Sequence, residues 1–333
     1  MLKKTLIAAS AITLSAFALT ACGSDSDGGA DSASDGGGDS MTMGFAQVGA
    51  ESGWRTANTK SIQDSAKDAG IDLKFTDAQG KQENQIQAIR SYIQQKVDVI
   101  AFSPVVETGW DAVLQEAKAA NIPVILTDRA VDSDPSLYKT FLGSDFVVEG
   151  TKAGEWLVQN AGDADTNGDG AIDVVQLEGT TGAAPAIDRG KGFADAIKAD
   201  PSIKVVASQT GDFTRDGGKQ VMESFLQSQK HIDVLFAQND DMGLGAIEAI
   251  KAAGLTPGKD VKIITVDAVH DGMQALADGE INYIVECNPL LGPQLMDLAK
   301  KVTAGDDVPA RVLTKETTFT QDQAKEALPD RQY

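Results

Sequence analysis

Short apolar or β-branched runs recur along the chain at residues 41–48, 71–76, 99–102, 124–127, 138–142, 172–177, 203–208, 234–237, 261–266 and 283–286. Between them the hydrophobic positions change to helical spacing, over 54–69, 82–95, 107–120, 147–160, 182–198, 214–227, 241–253 and 291–302. In the second of these stretches Ile86, Ile89, Tyr92 and Ile93 share one face of a helix. Gly70 and Gly254 close two of the others, as helix-ending glycines do. Strands repeating every 25–30 residues or so with a helix between them predict βαβ units and parallel sheets. Ten such strands exceed one comfortable sheet of this kind. The pattern therefore predicts an α/β fold of two doubly wound parallel-sheet lobes. In sheets of this type a ligand lies beyond the carboxyl ends of the strands, so the residues just after each strand carry the functional signal.

Those residues are polar. The first strand runs into Gln47-Val48-Gly49-Ala50-Glu51-Ser52-Gly53-Trp54-Arg55, and the fourth into Asp128-Arg129. Later strands end in Gln238-Asn239-Asp240-Asp241, in Asp267 and in Glu286, and Arg189 follows the loop Gly179-Thr180-Thr181-Gly182. Carboxylates, guanidiniums, an amide and an indole suit a sugar. A sugar hydroxyl both donates and accepts, so Asp takes its proton while Arg or Asn supplies one. An aromatic ring covers the C–H face. Each residue has a plainer reading as well. Asp or Asn after a strand is a favoured helix cap, above all Asp240 and Asp241. Trp54 can be lobe packing, and Arg129 and Arg189 can be surface ion pairs. The joint pattern is what favours a binding site.

Charge and composition narrow the classes. The chain has 333 residues and a formal charge of −20, from 49 acids against 29 bases. That excludes a nucleic-acid binder, which needs clustered Lys and Arg. Only His231, His270, Cys22 and Cys287 could supply His or Cys ligands, so a zinc finger and a disulfide framework are excluded. Lys3 and Lys4 precede an apolar run from Leu6 to Leu19, which reads as a secretory signal over 1–21. It ends in Leu19-Thr20-Ala21-Cys22, a bacterial lipobox pattern that makes Cys22 the lipidation site. Residues 22–40 hold no hydrophobic residue larger than Ala after that cysteine and read as an acidic tether. The folded part is then extracytoplasmic and lipid-anchored to the cell membrane. Cys287 is left as a buried structural thiol.

Residues 165–173 read D-x-N-x-D-G-x-I-D. Asp165, Asn167, Asp169 and Asp173 match oxygen positions of a calcium loop, with glycine at the turn. Position 12 is Gln176, not the usual bidentate Glu. The expectation is no required cofactor and a possible structural calcium, against the plainer reading of an Asp/Asn/Gly surface turn.

Several longer words carry a family resemblance. They are Lys81-Gln82-Glu83-Asn84-Gln85-Ile86, Ser103-Pro104-Val105-Val106 with Thr108-Gly109-Trp110, Gly211-Asp212-Phe213-Thr214-Arg215, Val221-Met222-Glu223-Ser224-Phe225 and Asn239-Asp240-Asp241-Met242, together with the segment from Gln47 to Arg55. The chain resembles the type I periplasmic sugar-binding proteins of bacterial ABC importers, the ribose/galactose group, and within it the galactofuranose binders. The resemblance runs from Met41 to about residue 328. It implies three hinge crossovers, with residues 41–144 plus 287–314 in one lobe and 145–286 plus 315–333 in the other. It also implies a ligand site of Glu51, Ser52, Trp54, Arg55, Asp128, Arg129, Arg189, Asn239, Asp267 and Glu286, with Phe213 either a wall of the site or core. Ribose binders usually carry Gln at the position of Glu286 and two aromatics at Trp54-Arg55, so furanose galactose is favoured over ribose, with another galactose or pentose sugar as the alternative. The implied partners are a monosaccharide, an importer permease and the membrane through the lipid anchor, with the protein a monomer and no enzyme. Two further readings compete. A sensor feeding a membrane receptor has the same fold. A glycoside-processing enzyme would pair Asp240 with Asp241 or Asp128 with Asp267, but Arg129 beside Asp128 keeps that carboxylate ionised.

Overall fold

The structure, a computed structural model, describes residues 40–333. The expected signal segment 1–21, Cys22 and all but the last residue of the tether lie outside the described residues.

The chain enters the first sheet through β1 (Thr42–Gln47), followed by α1 (Gly53–Asp68), β2 (Asp72–Asp77), α2 (Gln82–Gln95), β3 (Val99–Phe102), α3 (Asp111–Ala119), β4 (Val124–Thr127) and β5 (Thr140–Gly143). It then builds the second sheet from α4 (Phe146–Gln159), α5 (Ala161–Ala164), β6 (Ile172–Glu178), α6 (Ala184–Ala196), β7 (Ile203–Thr210), α7 (Arg215–Ser228), β8 (Val234–Ala237), α8 (Asp240–Ala252), β9 (Lys262–Asp267), α9 (His270–Ala277) and β10 (Tyr283–Glu286). It returns to the first sheet with α10 (Gly292–Ala304) and β11 (Arg311–Leu313), and ends in the second with β12 (Thr318–Phe319) and α11 (Gln321–Ala327). The strand orders are β11-β5-β4-β3-β1-β2 and β12-β10-β9-β8-β6-β7. The chain thus crosses between the sheets after β5, after β10 and between β11 and β12. Pairing is parallel throughout, except that β12 runs antiparallel to β10.

Two doubly wound α/β lobes are therefore present. The central strands β3, β4, β5, β8 and β10 are buried along their whole length, as parallel strands covered on both faces must be. The apolar stripe of α2 packs Ile89 and Tyr92 against Phe102, Trp110 and Leu126 in one core of the first lobe. On the other face α1 and α10 press Ile62, Leu295 and Ala299 against Phe45 and Val99. Each fully buried aliphatic or aromatic side chain contributes about 1.5–3 kcal/mol to folding.

The helical spacing expected from residue 107 does not begin there. The structure keeps 107–109 in a loop and starts α3 at Asp111. The Glu107 backbone N–H is used elsewhere, donating to the Gly182 carbonyl of the second lobe at 2.9 Å. The helix α9, from His270 to Ala277, was not visible as a periodic stretch because it is only 8 residues long.

Candidate functional site

The reversal points of the two sheets lie between β1 and β3 and between β6 and β8, where strand order opens a crevice beyond the carboxyl ends. The loops leaving those ends face each other around a small cavity lined by Glu51, Ser52, Trp54, Arg55, Asp128, Arg129, Pro185, Arg189, Phe213, Asn239, Asp267 and Cys287.

On the first lobe the side chains form one ion network. Ser52 caps α1 by accepting from the Arg55 N–H at 3.1 Å, and this places Trp54 and Arg55 in the first turn. The Arg55 guanidinium donates to Asp128 at 2.6 Å, to Glu51 at 3.0 Å and to the Ser103 hydroxyl at 3.3 Å. Arg129 donates to Glu51 at 3.1 Å and to the Val105 carbonyl at 3.2 Å. Burial pulls Arg55 toward losing its proton, but Asp128 and Glu51 outweigh it and hold the group above its ordinary value. Arg129 is less protected: burial, and then the repulsion of Arg55, bring it down to about 10 despite Glu51 and Asp128. For Glu51, burial would raise the carboxyl, yet Arg55 and Arg129 together hold it below the ordinary carboxylate value. Two buried atoms of this network have no partner in the protein, Glu51 Oε2 and Arg129 Nε. One is an acceptor and the other a donor, the pair a hydroxyl needs. A buried polar atom without a partner costs about 1–3 kcal/mol, and a ligand hydroxyl would recover it.

The second lobe mirrors this arrangement. Arg189 projects from α6 and donates to Glu149 at 2.7 Å and to the Gln238 carbonyl at 2.7 Å, with Asp267 at 3.7 Å. Burial lowers the guanidinium, but Glu149 leads the neighbours that hold it above its ordinary value. Burial raises Asp267 well above the ordinary carboxylate range against the pull of Arg189. Asn239 is the cap of α8, accepting from Met242 N–H at 3.0 Å and donating to the Phe213 carbonyl at 3.1 Å. Phe213 stands against the Arg129 guanidinium of the other lobe at 5.3 Å. Gly179 makes that possible, since a Cβ there would lie 1.8 Å from Phe213 Cζ. Asp128, Phe213 and Asp267 all hold positive φ, at 60°, 62° and 120°. Non-glycine residues in that region store strain and cluster at ligand sites.

The lobes touch across the cleft. Asp241 accepts the Gly53 N–H at the start of α1 at 2.7 Å, and at the crossover after β10 the indole N–H of Trp54 donates to the Cys287 carbonyl at 2.7 Å. The Trp54 ring itself packs with second-lobe core residues such as Phe146, Val266 and Val285.

Nine of the ten sequence-predicted side chains line the cavity, and Glu286 does not. Its carboxylate is taken by Arg331 at 2.8 Å, by the Tyr333 hydroxyl at 3.0 Å and by the Thr317 N–H at 3.0 Å. Arg331 and Tyr333 belong to the C-terminal segment, and no local signal in the sequence tied them to the end of β10. Asp240 and Asp241 are not caps either, because Asn239 takes that position. Asp240 is buried and accepts from the Thr265 hydroxyl and the Val269 N–H. Pro185 and Cys287 were not foreseen in the lining; the first turn of α6 and the crossover after β10 bring them in. Ser52 and Asn239 have both roles, since each caps a helix and lines the cavity.

The acidic loop does not gather its carboxylates. Asp165 accepts the backbone N–H groups of Gly168 at 2.8 Å and Gly170 at 2.9 Å, Asn167 accepts that of Asp169 at 2.8 Å, and Asp169 accepts that of Ala171 at 2.9 Å. Asp173 is already inside β6. Among the described residues, the acidic side chains of the loop do not come together within 4.8 Å as a set. The side chains hydrogen-bond the turn's own backbone.

Comparison with known proteins agrees with the fold. Residues 43–307 match the model of the periplasmic binding protein domain. The galactofuranose-binding protein YtfQ of Escherichia coli (strain K12) is 49% identical over 293 residues, covering 86% of this chain and 90% of YtfQ. A Mycobacterium smegmatis protein solved in complex with β-D-fucofuranose superposes with a TM-score of 0.85 at 68% identity, over 88% of this chain and 96% of that one. The binding component of the arabinose ABC transporter of Shewanella sp. ANA-3, bound to α- and β-L-arabinofuranose, gives 0.83 at 47% identity, over 88% and 96%. The chain belongs to the periplasmic binding protein family, type I. Within it the chain falls among the sugar-binding proteins of ABC importers; it is a binding protein and not an enzyme. Among the described residues no helix is long and apolar enough to cross a membrane.

Proposed function

We propose that this protein is an extracytoplasmic lipoprotein, anchored through Cys22, that captures a furanose sugar of the galactofuranose type between its lobes and delivers it to the permease of an ABC importer. The observation that carries the sugar reading is the buried, unpartnered acceptor and donor atoms Glu51 Oε2 and Arg129 Nε on residues that line the cavity between the lobes. The furanose form is supported by the relatives, whose named ligands are galactofuranose, fucofuranose and arabinofuranose. A neutral polyol fits the charge arrangement, because every guanidinium lining the cavity already has a carboxylate. Closure supplies the switch. Sugar contacts to both lobes add to the Asp241–Gly53 hydrogen bond and favour the closed form that the permease would receive. The anchor reading rests on the lipobox pattern ending in Cys22.

A thermal-shift screen of the full chain against galactofuranose, fucofuranose, arabinose, ribose and glucose tests the ligand. Stabilisation by the furanoses and none by glucose is expected. A preference for ribose or glucose would overturn the sugar assignment and leave the family intact. Palmitate labelling in cells, lost in Cys22→Ala, tests the anchor.

A further inference from the structure

We propose that Glu149, Cys287 and Glu316 form a binding site for one thiophilic divalent cation of the zinc type, at the junction of the three crossovers. Each residue comes from a different passage between the lobes. Glu149 lies in the first turn of α4, just past the first crossover; Cys287 is the residue after β10; Glu316 lies between β11 and β12. One ligand atom from each falls within 4.8 Å of the other two. Zinc bonds to sulfur at about 2.3 Å and to carboxylate oxygen at about 2.0–2.2 Å, so one ion spans such a set with small side-chain movement. Glu149 and Cys287 are each 1% exposed.

The hydrogen bonds around the cluster leave ligand atoms over. Arg189 holds Glu149 Oε2 at 2.7 Å, while Glu149 Oε1 is buried with no partner. Glu316 Oε1 accepts from the Thr314 hydroxyl at 2.7 Å, from the Asn288 N–H at 3.1 Å and from the Ser144 hydroxyl. Its Oε2 accepts none of the hydrogen bonds among the described residues. In each carboxylate the protein orients one oxygen and leaves the other, which is how outer partners hold metal ligands in place. The thiol decides the kind of ion. Sulfur with two carboxylates suits zinc, whereas calcium and magnesium take oxygen alone. The charges also balance: a thiolate and two carboxylates face one dication and the Arg189 guanidinium. Cys287 also lines the cavity between the lobes, so parting of the lobes gives the ion a route in. An ion joined to all three crossovers would favour the lobe arrangement seen here. This inference rests on the placement of the cluster and not on which sugar binds.

The test uses the full chain, stripped of metal and titrated with zinc by calorimetry and with cobalt by near-ultraviolet absorbance. One ion per chain is expected, with a thiolate-to-cobalt charge-transfer band. Cys287→Ser should abolish the band, Glu149→Gln should weaken zinc binding about tenfold or more, and Cys22→Ser should change neither. Should Cys287→Ser not fold, Glu316→Gln on the half-buried third crossover takes its place and should also lose about tenfold or more in affinity. Absence of the band in the parent chain overturns the proposal, as does a band that survives Cys287→Ser or disappears in Cys22→Ser.

Discussion

Replacing Arg129 by Ala is the most direct test of the cavity. The side chain is 3% exposed and meets Glu51, the Val105 carbonyl and the ring of Phe213. Two contributions to sugar binding disappear. The first is the hydrogen bond that free Nε can give a hydroxyl, about 1.5–3 kcal/mol for a charged donor. The second is the guanidinium–ring contact that joins the lobes in the closed form, about 0.5–2 kcal/mol. Together they come to about 2–5 kcal/mol, which at 1.4 kcal/mol per decade weakens Kd by about 30- to 4,000-fold. The fold should change little. Glu51 keeps Arg55 at 3.0 Å, and removing Arg129 relieves its repulsion with Arg55. Calorimetric titration with the sugar found in the screen measures the first effect, and thermal unfolding without sugar the second. An affinity within about threefold of the parent (about 0.7 kcal/mol), in a protein that melts normally, would show that the cavity map is wrong.

Other outcomes follow from single contacts. Asp241→Ala removes the acceptor for Gly53 N–H across the cleft; a lost charge-assisted bond of about 1.5–3 kcal/mol should raise the sugar off-rate by about 10- to 100-fold, and an unchanged rate in stopped-flow would refute its role as a closure contact. Gly179→Ala places a Cβ 1.8 Å from Phe213 Cζ, so the ring must leave the cavity wall, and a normal affinity in that variant would show that Phe213 is core alone. Asp240 is pushed up to about 7 by burial, despite its hydrogen bonds from Thr265 and Val269. The folded chain therefore holds that proton more tightly than the unfolded one, and the stabilisation is complete below about pH 4 and lost as pH rises through about 7. Urea midpoints should fall over that range in the parent and fall less in Asp240→Asn; equal slopes would refute the assignment. Because the 165–173 loop satisfies its own backbone, calcium added to the metal-stripped chain should move the melting temperature by no more than about 1 °C, whereas a ligand at 100 times its Kd adds about 2.7 kcal/mol; a calcium-dependent rise that vanishes in Asp165→Ala would restore the calcium reading.

Most of the architecture was legible in hydrophobic spacing, because parallel strands buried on both faces leave continuous apolar runs and their helices leave a three-to-four spacing. The candidate site was legible by position. Ligands gather beyond the carboxyl ends of strands, and Glu51, Arg55, Asp128, Arg129, Asn239 and Asp267 stand there in the sequence. What local pattern could not convey was which side chains were already committed. Glu286 ends its strand just as Asp267 ends the one before, yet Arg331 and Tyr333 return from the chain terminus and take its carboxylate, a contact spanning 45 residues to the first of them. The acidic loop shows the same limit at short range. Its spacing allows a cage or a turn, and only the backbone path shows that the N–H groups of the turn are directed onto those oxygens. Cys287 is the clearest case. In the sequence it is a lone buried thiol. The three crossovers set it beside Glu149 and Glu316 on the wall of the sugar cavity, because a two-lobe fold must bring every passage of the chain between the lobes through one narrow hinge.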